Sequence, residues 1–341
     1  MHGIGHLLRI VFCGAALLGA ACSPVVIPGG PASIAPDLVG DAIVAPDGAR
    51  LPLRRFAPDG PPRAVILALH GFNDHSGNFL TDSLPALHEA GLLVYAYDQR
   101  GFGRAPNRGY WAGTETMAAD AVAAAQVIRR RHPGLPLYLL GESMGGAVAI
   151  VASGSATPPP VDGYLLLTPA LWSRDYMNGP MRGGLWLVAR TIPALSVSGG
   201  VGGIVASDNT EALRRLGRDP LAIRETRVDS AVGLVDLMDA AVAALPACCR
   251  RADGTRAPTL LLIGDKDMIV PTHASRRAMR RVAPDAPVRI GVYPEGYHLL
   301  LAGGNRDDVV RDVVSFVTVP TAPLPSGADT EARRWLVRPV P

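Results

Sequence analysis

Leu137-Tyr138-Leu139-Leu140-Gly141-Glu142-Ser143-Met144-Gly145-Gly146-Ala147-Val148-Ala149-Ile150 decides the fold. An apolar run of strand length enters a turn of small residues, and a helix-compatible run leaves it. G-x-S-x-G in that setting is a nucleophile elbow, which lifts a serine hydroxyl above the rim of a sheet. The residues two before and two after the serine crowd together, so only small ones fit, and here both are glycine. Gly146, Ala147 and Ala149 let the outgoing helix lie close to the sheet. A glycine-rich surface turn reads the same on the pentapeptide alone, so the flanking strand and helix carry the distinction.

Outward from the elbow, strand and helix alternate. Residues 64–69 and 92–97 are continuous apolar runs that suit strands buried on both faces, as in a parallel sheet. Residues 77–90 read as a helix and residues 114–131 as a long alanine-rich one. Strands follow at 163–168, 259–263 and 288–293, with helices at 272–282 and 305–317. Residues 42–57 hold two short apolar stretches around Pro46-Asp47-Gly48, a hairpin signal. The class is α/β with a mainly parallel sheet. From about residue 170 to 257 the rhythm breaks into an irregular, partly apolar insertion with one amphipathic helix near 230–245. An insertion of that length reads as a lid rather than a connection. The tail from 320 to 341 is proline-rich and expected to be loose, except where Trp335-Leu336 could dock.

The chain has 341 residues and a net charge of +3, enough for one large domain and too little charge to argue for nucleic acid. The N-terminus is a separate matter. Arg9 precedes an apolar run from Ile10 to Ala21, too short to span a bilayer but suited to a signal-peptide core. Its end, Leu18-Gly19-Ala20-Ala21-Cys22, resembles a bacterial lipoprotein cleavage site, although Gly19 stands where an aliphatic residue is usual. The expectation is a signal peptide over 1–21, Cys22 as the lipidation site, a flexible tether over 22–40 and a domain over 41–319. Export to a bacterial cell envelope with membrane association through that anchor follows from it. Cys248 and Cys249 are adjacent; a bridge between neighbours is strained, so they read as reduced and buried. No metal-ligand spacing and no cofactor motif occurs.

Serine is a poor nucleophile without a base, an acid to orient the base and donors for an oxyanion. His298 follows the last strand by a short loop and lies after an acidic loop, the position of the base. Asp265 and Asp267, in Gly264-Asp265-Lys266-Asp267, both follow a strand and both remain possible acids on residue type alone. The order Ser, Asp, His matches a hydrolase triad. Met144 N–H, at a helix N-terminus, and Phe72 N–H, after the first buried strand, are the oxyanion donors, with His70 orienting the second loop.

His70-Gly71-Phe72-Asn73-Asp74-His75-Ser76-Gly77, Asp98-Gln99-Arg100-Gly101-Phe102-Gly103, the elbow, Ser207-Asp208-Asn209, Asp219-Pro220-Leu221, Gly264 to Asp267 and Gly296-Tyr297-His298 resemble the monoacylglycerol lipase and lysophospholipase-like branch of the α/β-hydrolase fold, grouped with serine aminopeptidase S33-type domains. The resemblance covers about residues 40–318. It implies an α/β-hydrolase fold, a mainly parallel sheet flanked by helices with a helical lid insertion. It selects Asp267 as the acid and leaves Asp98 and Arg100 structural. It further implies a serine carboxylester hydrolase acting on a small-molecule acyl ester or lipid such as monoacylglycerol or lysophospholipid, with no cofactor. Two other readings compete. An aminopeptidase on the same scaffold would need insertion carboxylates, among Glu211, Glu225, Asp229, Asp236 and Asp239, to hold a free amino terminus. A non-catalytic envelope binding protein would not need the triad positions filled. Dehalogenase or epoxide hydrolase chemistry would need a carboxylate at position 143.

Overall fold

The computed structural model describes residues 23–198 and 203–338. The expected signal peptide over 1–21, the expected lipidation site Cys22 and residues 339–341 lie outside the described residues. Eleven strands form among the described residues: β1 Asp37–Val39, β2 Ala42–Val44, β3 Arg50–Phe56, β4 Ala64–Leu69, β5 Leu92–Tyr97, β6 Leu137–Glu142, β7 Gly163–Leu167, β8 Ser196–Ser198, β9 Glu225–Arg227, β10 Thr259–Gly264 and β11 Val288–Tyr293. The helices are α1 Leu84–Glu89, α2 Thr114–Arg131, α3 Met144–Gly154, α4 Gly179–Thr191, α5 Thr210–Arg218, α6 Val228–Ala244, α7 Thr272–Met279, α8 Arg306–Thr318 and α9 Ala328–Val337.

Nine strands make one sheet in the order β1-β2-β3-β5-β4-β6-β7-β10-β11, antiparallel from β1 to β5 and parallel from there on. The apolar runs at β4, β5, β6, β7 and β10 are buried along their whole length, because helices cover both faces. Alternate residues feed two cores. Val65, Leu67, Leu69 and Leu139 meet α2, α3 and α6; Ile66, Ala68 and Leu140 meet α1 and α8. Each such leucine contributes about 1.5–3 kcal/mol by leaving water.

From β4 the chain goes to β5 on one side, then returns to β6 on the other. The order therefore reverses between β4 and β6, where open α/β sheets open a crevice at the carboxyl ends of their strands. Register pairs Leu69 with Gly141, so the loops after β4 and β6 start side by side.

Four segments differ from the sequence reading. Only Leu84–Glu89 of residues 77–90 is helical; Pro85 suits a first turn, and the preceding residues are hydrogen-bonded turns such as Thr81 N–H to Asn78 C=O. Residues 23–34, read as a tether, lie along the domain. Val25 N–H donates to Asp229, Ile27 N–H to Trp111 C=O and Gly29 N–H to Thr116 Oγ1. The segment contributes only main-chain N–H groups to these bonds, which leave no periodic trace in its sequence. The amphipathic helix of the insertion, α6, packs into the body: Trp111 lies against Gly233, where a Cβ would come within 2.3 Å of the indole. Finally, the tail is not loose. It forms α9, with Trp335 fully buried.

Candidate active site

Ser143 follows β6 and occupies the N-cap position of α3 with φ 53° and ψ −116°. That left-handed backbone is unusual for a serine, and Asn73 and Thr168 in the neighbouring loops share it, with φ 64° and 39°. The elbow's glycines have no room for a side chain. A Cβ on Gly141 would sit 2.3 Å from Gly145 C=O, and one on Gly145 would sit 2.2 Å from Leu69 C=O.

Asp267 and His298 meet. The carboxylate is an acceptor only, so Nδ1–H of His298 donates to Asp267 Oδ2 at 2.7 Å and Nε2 is left free to take a proton. The other oxygen, Oδ1, accepts the N–H groups of Ile269 and Val270 at 2.8 and 2.9 Å, which fixes the carboxylate plane. Ser143, Asp267 and His298 are 9%, 7% and 4% exposed, so all three sit below the surface.

Ser143 and His298 reach one another's neighbourhood through the end of β7. Ser143 N–H donates to Leu167 C=O at 3.0 Å, and Thr168 Oγ1 donates to His298 C=O at 2.8 Å. The Ser143 hydroxyl has no hydrogen-bond partner among the described residues. Serine–imidazole contacts commonly tighten only once substrate is bound. Thr168 is a site residue that sequence reasoning missed; a polar residue closing an apolar strand was its one signal.

The two expected oxyanion donors have the needed freedom. Neither Phe72 N–H nor Met144 N–H has a hydrogen-bond partner among the described residues. Met144 opens α3, where a helix leaves its first amides unpaired and positive. Gly71 brings the other loop onto Ser143, its missing Cβ facing Ser143 Cβ at 3.5 Å. His70 shapes that loop: its Nδ1 bonds Gly71 C=O at 2.8 Å, its Nε2 accepts Gln99 N–H at 3.0 Å, and Gln99 Nε2 donates to His70 C=O at 2.8 Å. The insertion holds the same apparatus from outside. Ile223 N–H donates to Asn73 C=O at 2.9 Å, Asn73 Nδ2 to Thr226 Oγ1 at 2.6 Å, and Leu299 N–H to Ala206 C=O at 2.9 Å.

Burial drives the His70 imidazole down from 6.5 to about 4, so it is neutral at physiological pH. Between those values the unfolded chain takes up a proton that the folded chain refuses. Stability is therefore expected to fall on acidification from 6.5 to about 4, by about 3 kcal/mol for the whole drop. Asp74 opposes it, because burial raises that carboxyl to about 6 and the folded chain protonates first. His70→Gln removes the first contribution. Urea unfolding should show the variant gaining on wild type as the pH is lowered; a constant difference would contradict a neutral, buried His70. Burial also raises the Glu142 carboxyl well above its usual range, with Asp74 adding to the effect.

Asp98 and Arg100 are structural. Asp98 accepts from Ser76 N–H and Arg104 N–H, and Arg100 forms two-pronged bonds to both Asp47 and Asp120. Asp265 takes no part in the imidazole contact; it binds Trp335 and Arg338. Among the described residues no group of three or more His, Cys, Asp and Glu is placed to hold a metal ion.

The family model described as serine aminopeptidase, S33 matches residues 60–304. The monoacylglycerol lipase of Mycolicibacterium smegmatis is 29% identical over 278 residues, covering 79% of this chain and 93% of that protein. The human monoglyceride lipase is 28% identical over 264 residues, covering 76% and 82% respectively. Among solved structures, the Paleococcus ferrophilus monoacylglycerol lipase superposes with a TM-score of 0.60 at 26% identity, covering 78% of this chain and 98% of that one.

Proposed function

Because the chain belongs to the serine aminopeptidase S33 family of α/β-hydrolases, we propose that Ser143, His298 and Asp267 are the catalytic triad of an enzyme that cleaves single-chain acyl esters of glycerol. Carboxylester hydrolysis is its reaction class. The observation that carries the site assignment is the Asp267–His298 bond beside a serine held at positive φ. Ser143 Oγ attacks the ester carbonyl as its proton passes to His298 Nε2. Asp267 holds the imidazole, and the Phe72 and Met144 N–H groups receive the oxyanion. Collapse expels the glycerol oxygen, which takes the proton from Nε2. Water, deprotonated by the same nitrogen, then attacks the acyl-enzyme; Ser143 Oγ leaves, takes that proton back from Nε2, and the fatty acid is released.

The aminopeptidase reading loses support from the insertion. Four of the five candidate carboxylates are already engaged by arginine: Glu211 by Arg214, Asp229 by Arg227, and Asp236 and Asp239 by Arg174. The test is a substrate panel on the purified protein. Monoacylglycerol and p-nitrophenyl acyl esters should turn over and aminoacyl arylamides should not; the reverse order would assign the peptidase.

The proposal extends to location: an exported lipoprotein of the bacterial cell envelope, anchored at Cys22. Supporting it, Met181, Trp186, Leu187, Ile192, Leu195 and Val197 of the insertion are all exposed, and residues 176–207 contain no acid but carry Arg182 and Arg190. That composition suits an anionic lipid surface. Ser23 and Pro24, directly after Cys22, line the same groove as Leu185 and Trp186. Mass analysis of the mature N-terminus tests the anchor; an unmodified residue there would remove it. Among the described residues no helix is long and apolar enough to cross a membrane.

A further inference from the structure

We propose that α9 is a positioning element for the catalytic acid and that Trp335 is the residue through which it acts; the inference rests on the triad reading above. Trp335 is fully buried, and its single polar atom points at the acid turn, with Nε1–H donating to Asp265 Oδ1 at 2.6 Å. Arg338 donates to the other oxygen, Oδ2, at 2.8 Å. Both oxygens of Asp265 are thus held by the C-terminal segment. The Arg276 guanidinium lies over the indole, 4.7 Å from its centre.

Asp265 stands two residues before Asp267 in a turn with little slack. Asp265 N–H donates to Tyr293 C=O and Lys266 N–H to Gly296 C=O, each at 2.9 Å, and Asp267 N–H folds back to Gly264 C=O at 3.2 Å. Tyr293 and Gly296 belong to the strand end and loop that carry His298. A Cβ on Gly264 would lie 2.4 Å from the carbonyl oxygens of Gly296 and Tyr297, so turn and loop are in backbone contact. The acid turn is therefore gripped on one side by the base's loop and on the other by α9. If the grip on Asp265 is released, the turn can rotate, and the 2.7 Å bond between Asp267 and His298 is the contact that changes. The family match ends at residue 304, whereas α9 begins at Ala328, so this grip comes from outside the matched region.

The experiment uses the full chain. Trp335→Phe keeps a buried ring and removes the N–H; Asp265→Asn keeps the shape and weakens both bonds. kcat and KM on a p-nitrophenyl ester, the rate of fluorophosphonate labelling and the thermal midpoint are measured for each variant and for the pair combined. Each single variant is expected to lower kcat about tenfold, a misplacement effect, while KM moves less than about twofold. The double variant should be no slower than the worse single, because both break one contact. Wild-type kcat in both single variants, with only the midpoint lowered, would make α9 purely structural and overturn the proposal. A wild-type chain that neither hydrolyses ester nor reacts with fluorophosphonate would overturn the triad reading itself, which the variants' ratios cannot imitate.

Discussion

Ser143→Ala is expected to lower ester turnover by about 10⁴–10⁶-fold while leaving the fold intact. The hydroxyl makes no hydrogen bond among the described residues, so its loss costs no internal contact. Alanine also keeps the small volume the elbow requires, although it must still adopt φ 53°. Stability should therefore change by little, and near-native far-UV circular dichroism with lost turnover is the predicted pair of results. Residual hydrolysis above the water rate would come from the oxyanion donors and substrate binding. Full activity in this variant would remove the nucleophile assignment.

The second large effect separates two aspartates. Asp267→Asn should reduce kcat by about 10⁴-fold, because an amide can present its NH₂ to Nδ1 and stabilise the wrong tautomer. The Ile269 and Val270 N–H groups still have an oxygen to bond, so the turn itself should survive. Asp265→Asn, two residues away, weakens the side-chain bonds to Trp335 and Arg338 and is expected to cost about tenfold. The contrast is the informative quantity. Equal losses would mean that the turn acts as one unit and that the acid is not assigned by its contact with His298.

The legibility of the chain was uneven for physical reasons. Buried parallel strands such as 64–69 and 92–97 announce themselves because both faces must be apolar. The elbow does so because Gly141 and Gly145 stand where backbone atoms leave no space for a Cβ. Thr168 was hidden, since a strand-end threonine has no periodic signature. Its role appears only when β7 is seen between β6 and β10. Trp335 was legible as a docking residue but not as a partner of Asp265, seventy positions away in the chain. Residues 23–34 looked like a tether because the segment is held by its own main-chain N–H groups, which every residue type but proline supplies.

By itself, then, the order of residues determined the class of fold and singled out Ser143, His298 and two candidate acids, because each depends on local crowding, on period or on position after a strand. Only the tertiary structure decided which acid faces the imidazole, which loops press on the serine, and that the last helix holds the acid turn. Those facts follow from strand order. The reversal between β4 and β6 and the adjacency of β10 to β11 bring distant loops to one rim, and hydrogen bonds between them form only when that sheet closes.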